Sequence, residues 1–415
     1  MSTSPTSLHT IASPSSHTDA QSGSLPAILV LADGRVFRGT SFGATGRALG
    51  EAVFTTGMTG YQETMTDPSY RRQLVCATAP QIGNTGWNDE DDESRGSTIW
   101  VSGLIIRDLS TRPSNWRSKR SLEDEMASQG IIGIKNVDTR ALVRHLRNKG
   151  SVNAGIFTGD EATKPVDELL SVVNEIPSMA GQDLAEEVST NEPYIVEPEG
   201  TSSQSNTLTV VAYDMGIKTN TPRNFSRRGV KTVVVPANTS FEDIQKYNPD
   251  GVFISNGPGD PSTADIMVDI VRQVLSEKIP FFGICFGNQI FGRALGLDTY
   301  KLKFGHRGIN VPVVNLATGR VSITAQNHGF ALLPPHAHDA SEKLSTEELT
   351  ASFDTPFGPA HVTHICPNDN VVEGVALNDG RAFSVQYHPE AAAGPHDANP
   401  LFDQFVTAMQ KGKAK

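Results

Sequence analysis

Cysteine is scarce in this 415-residue chain, which has only Cys76, Cys285 and Cys366 at wide spacing. An odd, scattered set of this kind indicates a reducing compartment rather than a disulfide framework. Basic residues are also few, because 35 Lys and Arg stand against 46 Asp and Glu and give a net charge of −11. This acidity excludes the basic surface that binding to nucleic acids or to anionic membranes usually requires.

Long hydrophobic runs are lacking as well. The longest uncharged stretch of the central apolar region, 279–292, includes Asn288 and Gln289 and is too short to span a bilayer. The first 25 residues are rich in Ser, Thr and Pro, and no Lys or Arg precedes Arg35. Mitochondrial transit peptides are rich in Arg, and secretory signals have an apolar core. We therefore expect a disordered tail over 1–25 and a cytoplasmic protein, with the mitochondrial matrix as the alternative.

Apolar patterning divides the rest of the chain into two halves. The first, 26–180, mixes short apolar strands with helices that begin at polar residues, so we expect a mixed α/β domain. Between 181 and 206 the chain is rich in Glu, Pro, Ser and Thr, which is typical of a linker. From 207 to 411, β-branched runs alternate with helix-length segments, a pattern typical of a parallel sheet buried on both faces. The second half is therefore predicted to be a doubly wound α/β domain.

The segment 279–292, IPFFGICFGNQIFG, contains the most informative pattern. It predicts a buried strand that leads directly into a helix, with Cys285 at the corner between Gly283 and Gly287. This spacing is typical of a nucleophile elbow, in which glycines avoid a collision at a very tight turn. Because the positive end of the helix would face the sulfur, we expect a lowered pKa for Cys285. A buried structural cysteine is the alternative.

The sequence FSVQYHPE, at 383–390, ends a predicted strand of the same domain. Residues two apart on an extended backbone point the same way, so His388 and Glu390 can lie on one face. There His388 would be the base for Cys285, and Glu390 would orient its imidazole ring. Because the carboxyl ends of parallel strands meet at one crevice, we expect this pair beside the cysteine.

The loop SNGPGDP, at 255–261, also follows a predicted strand. Its plain interpretation is a surface turn, because Gly and Pro cluster in turns. Its functional interpretation is an oxyanion loop, in which the backbone N–H groups freed by Gly257 and Gly259, with that of Phe286, face a developing negative charge. Each such donor lowers the barrier by roughly 3 kcal/mol.

Two other kinds of site have little support. His361, His364 and Cys366 lie close together on a predicted strand but have no second ligand cluster, so we expect no metal site. The chain has neither a phosphate-binding P-loop sequence nor a glycine-rich dinucleotide fingerprint between a strand and a helix. We therefore expect no cofactor and no ATP chemistry in this chain.

In this order the three motifs resemble those of the class I, triad-type glutamine amidotransferases, which hydrolyse glutamine through a γ-glutamyl thioester. The first half resembles the small subunit of carbamoyl phosphate synthetase in GEAVFTTGMTGYQETMTDPSY at 50–70 and PQIGNTG at 80–86. The second half adds FGHRG at 304–308 and AQNHGF at 325–330. The chain differs from the commoner family pattern in having Phe286 and Asn288 where Leu and His are usual.

The resemblance implies roles for individual residues. It implies that Cys285 is the nucleophile, that His388 is the general base and acid, and that Glu390 orients the imidazole. It further implies that glutamine is held by Ser69, Gly257, Gly259, Phe286, Gln289, Asn327, Gly329 and Phe330. Compared with bacterial relatives, the segment 334–358 is expected to be a surface insertion.

The resemblance also implies a partner, because a small subunit of this kind delivers ammonia to a large synthetase subunit that uses ATP, Mg and bicarbonate. We therefore expect a heterodimer or a larger assembly. Since the chain ends soon after its amidotransferase half, unlike the fused pyrimidine-pathway proteins, we expect the arginine-specific eukaryotic form, with the pyrimidine pathway as the alternative. A catalytically silent regulatory subunit and a stand-alone γ-glutamyl cysteine hydrolase are the other interpretations.

Overall fold

The computed structural model describes residues 25–200, 207–340, 342 and 344–414. Nearly all of the predicted tail, 1–25, and the last part of the predicted linker, 201–206, lie outside these residues. The described residues form two domains, and none of their helices has both the length and the apolar character needed to cross a membrane.

The described part of the first domain contains nine strands and four helices. The strands are β1 (Pro26–Leu31), β2 (Val36–Gly43), β3 (Arg47–Thr55), β4 (Gln73–Ala77), β5 (Gln81–Ile82), β6 (Gly103–Ile105), β7 (Asp108–Leu109), β8 (Ile132–Lys135) and β9 (Val152–Thr158). The helices are α1 (Tyr61–Thr66), α2 (Leu122–Ser128), α3 (Thr139–Lys149) and α4 (Val166–Asn174). Seven of the strands close into a barrel in the order β1-β2-β8-β6-β4-β3-β9.

The barrel mixes strand directions. β1 and β2 form an antiparallel hairpin around Asp33-Gly34, where Gly34 has the positive φ of 83° that such a turn favours. β3, β4, β6 and β8 run parallel to one another. The predicted mixed α/β character of the first half is therefore confirmed, and the carboxyl ends of four parallel strands meet at one edge of the barrel.

The second domain contains a ten-stranded sheet among the described residues. Its strands are β10 (Tyr194–Val196), β11 (Leu208–Asp214), β12 (Val230–Pro236), β13 (Gly251–Ile254), β14 (Phe281–Ile284), β15 (Thr299–Asn315), β16 (Val321–Leu332), β17 (Ala360–Ile365), β18 (Val372–Leu377) and β19 (Ala382–Val385). The helices are α5 (Ala185–Val188), α6 (Asn220–Arg227), α7 (Phe241–Gln245), α8 (Asp265–Ser276), α9 (Phe286–Ala294), α10 (Thr346–Thr350) and α11 (Leu401–Lys413). The strand order is β10-β12-β11-β13-β14-β19-β18-β16-β15-β17.

The centre of this sheet is the predicted doubly wound parallel core. β12, β11, β13, β14 and β19 are parallel, whereas β18, β16, β15 and β17 extend the sheet in antiparallel pairs. Part of the segment predicted as a linker joins the sheet too, because β10 pairs with β12 at one edge. In the predicted insertion, α10 contributes Leu349 to the core.

Helices cover both faces of the parallel core, which explains why its strands are continuous apolar runs. α8 and α9 pack on one face, while α6 and α11 pack on the other. The second face contains an aromatic cluster whose ring centroids lie 5.1 Å apart for Phe225 and Phe402 and 5.5 Å apart for Phe253 and Phe282. These four rings are fully buried. Phe253 lies on β13 and Phe282 on β14, so this packing holds the two strands against α6 and α11. β14 leads directly to Cys285.

Phe282→Ala is expected to lower the free energy of unfolding of the second domain by about 3–5 kcal/mol, because it leaves a cavity among packed rings. Hydrogen–deuterium exchange of peptides covering β13 and β14 measures the change. The matched control is Ile266→Ala on α8, where the side chain is 77% exposed and a change within about 0.5 kcal/mol is expected. Equal protection of β14 in both variants would contradict the prediction.

Candidate active site

Cys285 lies at the junction of β14 and α9, and its backbone has a positive φ of 56° with ψ −100°. A residue other than glycine keeps such a conformation only where the surrounding structure fixes it, at a cost of roughly 1–3 kcal/mol. Strained positions of this kind cluster at active sites. The corner has the geometry that the glycine spacing predicts for a nucleophile elbow.

Gly283 and Gly287 make this corner possible. A Cβ atom on Gly283 would lie 2.5 Å from the carbonyl oxygen of Gly287, and a Cβ on Gly287 would lie 2.3 Å from that of Ile254. Both neighbours are backbone atoms, so no side-chain movement could relieve the clash. The two glycines therefore allow β13, β14 and α9 to approach closely enough to place Cys285 at the carboxyl end of β14.

The sulfur of Cys285 is enclosed, because its side chain is only 2% exposed. Its Sγ donates a weak hydrogen bond to the carbonyl oxygen of Asn327 at 3.6 Å. Burial, together with the carboxylates of Asp67 and Glu390, raises the pKa of the thiol above its ordinary value, although the backbone N–H of Phe286 opposes this. The predicted lowering of this pKa is wrong, since the cost of burying an anion exceeds the effect of the helix start. The thiol therefore needs a base.

His388 and Glu390 follow β19, the strand next to β14 in the sheet. β14 and β19 are parallel neighbours, and their pairing continues to Ile284, the residue before Cys285. His388 Nδ1 lies 2.6 Å from Glu390 Oε1, and both side chains are buried. His388 Nε2 has no hydrogen-bond partner among the described residues. A carboxylate that holds Nδ1–H leaves Nε2 free to accept a proton, as a general base requires.

Most of the residues predicted to hold glutamine surround one cavity with Cys285. The cavity is lined by Ser69, Gly257, Gly259, Gln289, Asn327, Gly329 and Phe330. Phe286 is not part of its wall but provides the N–H group next to the sulfur. Ser69 comes from the first domain and accepts a hydrogen bond from Asn256 Nδ2 at 2.9 Å. The loop 255–261 therefore forms part of the site, and the plain surface-turn interpretation is wrong for Gly257 and Gly259.

Comparison with known proteins shows the family of the chain. Residues 29–156 match the family described as carbamoyl-phosphate synthase small chain, CPSase domain, and residues 210–408 match glutamine amidotransferase class-I. The carbamoyl phosphate synthase small chain of Corynebacterium diphtheriae is 71% identical over 93% of this chain and 98% of its own length. The chain belongs to the carbamoyl phosphate synthase small chain family.

Two further comparisons complete the description of this family member. The carbamoyl phosphate synthase small chain of Mycobacterium tuberculosis strain H37Rv is 64% identical over 92% of this chain and 98% of its own length. A solved structure of a glutamine amidotransferase from Thermotoga maritima covers 51% of this chain and 87% of its own, with 16% identity and a TM-score of 0.34.

The sequence did not identify several of the residues that line the cavity beside Cys285. The substrate cavity is also lined by Glu51, Gln73, Lys301 and Arg307. Lys301 Nζ lies 2.5 Å from Glu51 Oε1, so this ion pair joins the second domain to the first. Arg307 stands in the quoted FGHRG run, but nothing in the pattern assigns it a role. Only the folded chain brings these four side chains to the cysteine.

A second cavity is lined by His388, and Asn327 lines both this cavity and the one beside Cys285. It is also lined by Asp67 and Lys218, whose Oδ2 and Nζ atoms form a buried ion pair at 3.2 Å. Burial opposes the charge on Lys218, but Asp67 and the carboxylates around it raise its pKa above the ordinary value. Burial raises the pKa of Glu93, another lining residue, to about 7. The sequence gives no sign of this cavity.

His361 and Cys366 belong to the group of three residues that was not expected to form a metal site, and they have different neighbours in the structure. His361 contacts Asn378, whereas Cys366 lies near His306 and Glu373, with ligand atoms within 4.8 Å of one another. His306 Nε2 is 2.8 Å from Asp369 Oδ2, and its Nδ1 is 3.3 Å from Glu373 Oε1. Burial opposes protonation, yet the two carboxylates raise the pKa of His306 to about 10. His306 is thus held between two carboxylates that favour its protonated form.

Asp67→Asn is expected to destabilise the fold by about 3–5 kcal/mol, because it leaves the ammonium of Lys218 buried without its partner. Urea unfolding monitored by circular dichroism measures the loss. The double variant Asp67→Asn/Lys218→Met should recover much of it, since both charges are then absent. If the double variant is no more stable than Asp67→Asn, the pair is not the source of the effect.

Proposed function

We propose that this chain is the glutamine-hydrolysing subunit of a carbamoyl phosphate synthase and that Cys285, His388 and Glu390 form its catalytic triad. The observation that carries the proposal is the strained cysteine corner at the end of β14, with a buried His388–Glu390 pair after the neighbouring strand β19 and an Nε2 that has no partner among the described residues. A nucleophile, a base and a group that orients the base are the components of a thiol hydrolase.

The reaction begins with proton transfer from Cys285 Sγ to His388 Nε2 as the sulfur attacks the amide carbon of glutamine. A C–S bond forms, and the carbonyl oxygen becomes an oxyanion that accepts hydrogen bonds from backbone N–H groups at Phe286 and in the 255–261 loop. His388 then donates its proton to the amide nitrogen, the C–N bond breaks, and ammonia leaves. A water molecule then gives a proton to His388 and attacks the thioester carbon, the C–S bond breaks, and His388 returns the proton to the sulfur as glutamate leaves.

Ammonia leaves on the His388 side, into the second cavity. In neutral water most of it would become ammonium, which is a poor nucleophile, so a shielded path preserves its reactivity. The partner that receives it is the large synthetase subunit, which binds ATP and Mg and forms at least a heterodimer with this chain. The chain itself uses no metal and no cofactor, and it acts in the cytoplasm.

The destination of the product is a separate question. Arginine and pyrimidine biosynthesis both consume carbamoyl phosphate, so the chemistry of this site favours neither pathway. The arginine-specific eukaryotic form expected from the sequence stays a prediction, and the two relatives described above are bacterial.

Cys285→Ser is expected to abolish glutaminase activity, by about 10³-fold or more, because a serine hydroxyl at this corner is a far weaker nucleophile than the thiol. Carbamoyl phosphate synthesis from added ammonium chloride should persist in the complex with the large subunit. Release of glutamate from the purified chain and of carbamoyl phosphate from the complex are the two measurements.

The matched control is Cys76→Ala, which removes a thiol buried in the core of the first domain. It should keep both activities if it folds, which circular dichroism checks. Glutaminase turnover by Cys285→Ser would remove the triad, and a wild-type chain without glutaminase activity, alone or in the complex, would favour a silent regulatory subunit. Glutaminase activity with no binding to the large subunit would favour the stand-alone hydrolase.

A further inference from the structure

Four arginines lie together on the outside of the first domain, and we call them the basic cluster. Three are on α3, at Arg140, Arg144 and Arg147, and the fourth, Arg107, follows β6. All four are exposed and line one groove. On the opposite side of α3, Leu142 is buried in the core of the barrel. The helix is therefore fixed with its arginines facing outward.

The basic cluster has almost no partners within the chain. No described carboxylate forms an ion pair with the three arginines of α3, and Arg107 Nε lies 3.8 Å from Asp108 Oδ2 in an exposed contact. Like charges four residues apart on a helix, such as Arg140 and Arg144, destabilise it. The chain before β1 contains a single acidic residue, Asp19, so it does not match four positive charges. In a chain with a net charge of −11, this face is complementary to an acidic partner.

The basic cluster lies where the parallel strands of the barrel have their carboxyl ends. Thr78 follows β4 and Arg107 follows β6, and both line the groove with α3, which follows β8. The N–H group of Thr78 donates a hydrogen bond to the carbonyl oxygen of Thr55 at 3.2 Å. Thr55 ends β3 and lines the second cavity. The groove and the cavity that ammonia enters in the proposed reaction therefore have adjoining walls.

Two large apolar side chains are exposed at the same edge of the barrel. Met58 follows β3 and is 59% exposed, and Trp116 follows β7 and is 92% exposed. The N–H group of Ser114 donates a hydrogen bond at 2.8 Å to the carbonyl oxygen of Asn84, which lines a pocket with Met58. Trp116 is thus two residues from the wall of that pocket. Exposed apolar groups of this size mark interaction surfaces, and Trp and Arg contribute most to binding at protein interfaces.

We propose that the basic cluster, Trp116 and Met58 form the face on which the large synthetase subunit docks. Acidic groups of that subunit lie opposite the arginines, and an apolar pocket takes the indole of Trp116. This inference rests on the proposed function, from which it takes the partner, and adds the surface that binds it. The position fits, because the pocket of Met58 shares Thr55 and Gly60 with the second cavity. A partner that receives ammonia from that cavity has to cover this edge of the barrel.

The test measures binding of the purified large subunit to variants of the full chain by isothermal titration calorimetry. Trp116→Ala is expected to raise Kd by about 30-fold or more, because it removes an aromatic anchor from the interface. The double variant Arg140→Glu/Arg144→Glu should raise Kd by about 100-fold or more, since it places negative charges against acidic groups. Added NaCl should weaken the binding of the wild-type chain, and it should not weaken that of the double variant.

The matched controls are Arg320→Glu, at an exposed position in the turn between β15 and β16, and Ile266→Ala on α8. Both should keep the wild-type Kd. Every variant should keep the glutaminase activity of the isolated chain, because none of these residues lines the cavity of Cys285. Glutamine-dependent synthesis by the Trp116→Ala complex should be lost at low concentrations of the large subunit and return when that subunit is in excess. Circular dichroism checks the fold.

An unchanged Kd in Trp116→Ala or in the double variant would overturn the proposal. A self-associated chain that Trp116→Ala dissociates, with unchanged affinity for the large subunit, would assign the face to a second copy instead. Binding of inorganic pyrophosphate that only the double variant loses, again with unchanged affinity for the large subunit, would assign the groove to a small anion. Failure of the proposed function would appear differently, as a wild-type chain that does not bind the large subunit or as turnover by Cys285→Ser.

Discussion

The site depends on an ion pair buried between the two domains. Asp67 follows α1 in the first domain and Lys218 precedes α6 in the second, and their charged atoms lie 3.2 Å apart. Asp67 Oδ2 also accepts a hydrogen bond from Asn327 Nδ2 at 3.0 Å. Ser69, which is two residues after Asp67, accepts a hydrogen bond from Asn256 of the second domain. One short segment of the first domain thus fixes walls of both cavities, so the first domain is part of the site.

The charges around the sulfur oppose a lone thiolate. Burial, with the carboxylates of Asp67 and Glu390, raises the pKa of the Cys285 thiol above its ordinary value. Glu390 Oε1 also lies 2.6 Å from His388 Nδ1, so one of these carboxylates contacts the imidazole directly. In the proposed reaction the thiol therefore gives up its proton as His388 accepts it, and Glu390 orients the ring that does so.

Local patterns predicted the corner, the His388–Glu390 pair and the loop at Gly257, because each depends on spacing within a few residues and on the edge of a parallel sheet. The partners across domains were not predictable in this way. Lys218 and Glu51 could not be identified as site residues from the sequence, because the opposite charge that each of them pairs with comes from the other domain. The antiparallel strand β15 was missed because it is mostly half-buried and has no continuous apolar run. The sign of the Cys285 pKa shift depends on burial, which the helix position alone does not reveal.

The hairpin of β15 and β16 forms a wall of the cavity that contains Cys285. Its register places Arg307 opposite Asn327, and the neighbouring pair is His306 opposite His328. Glu373 from β18 holds this pair in place, since it contacts His306 and accepts a hydrogen bond from Gln326 Nε2 at 3.0 Å. Glu373 thus ties β18 to the β15–β16 hairpin. That hairpin brings Arg307 and Asn327 to the wall of the cavity, where the carbonyl oxygen of Asn327 accepts the hydrogen bond of the Cys285 thiol.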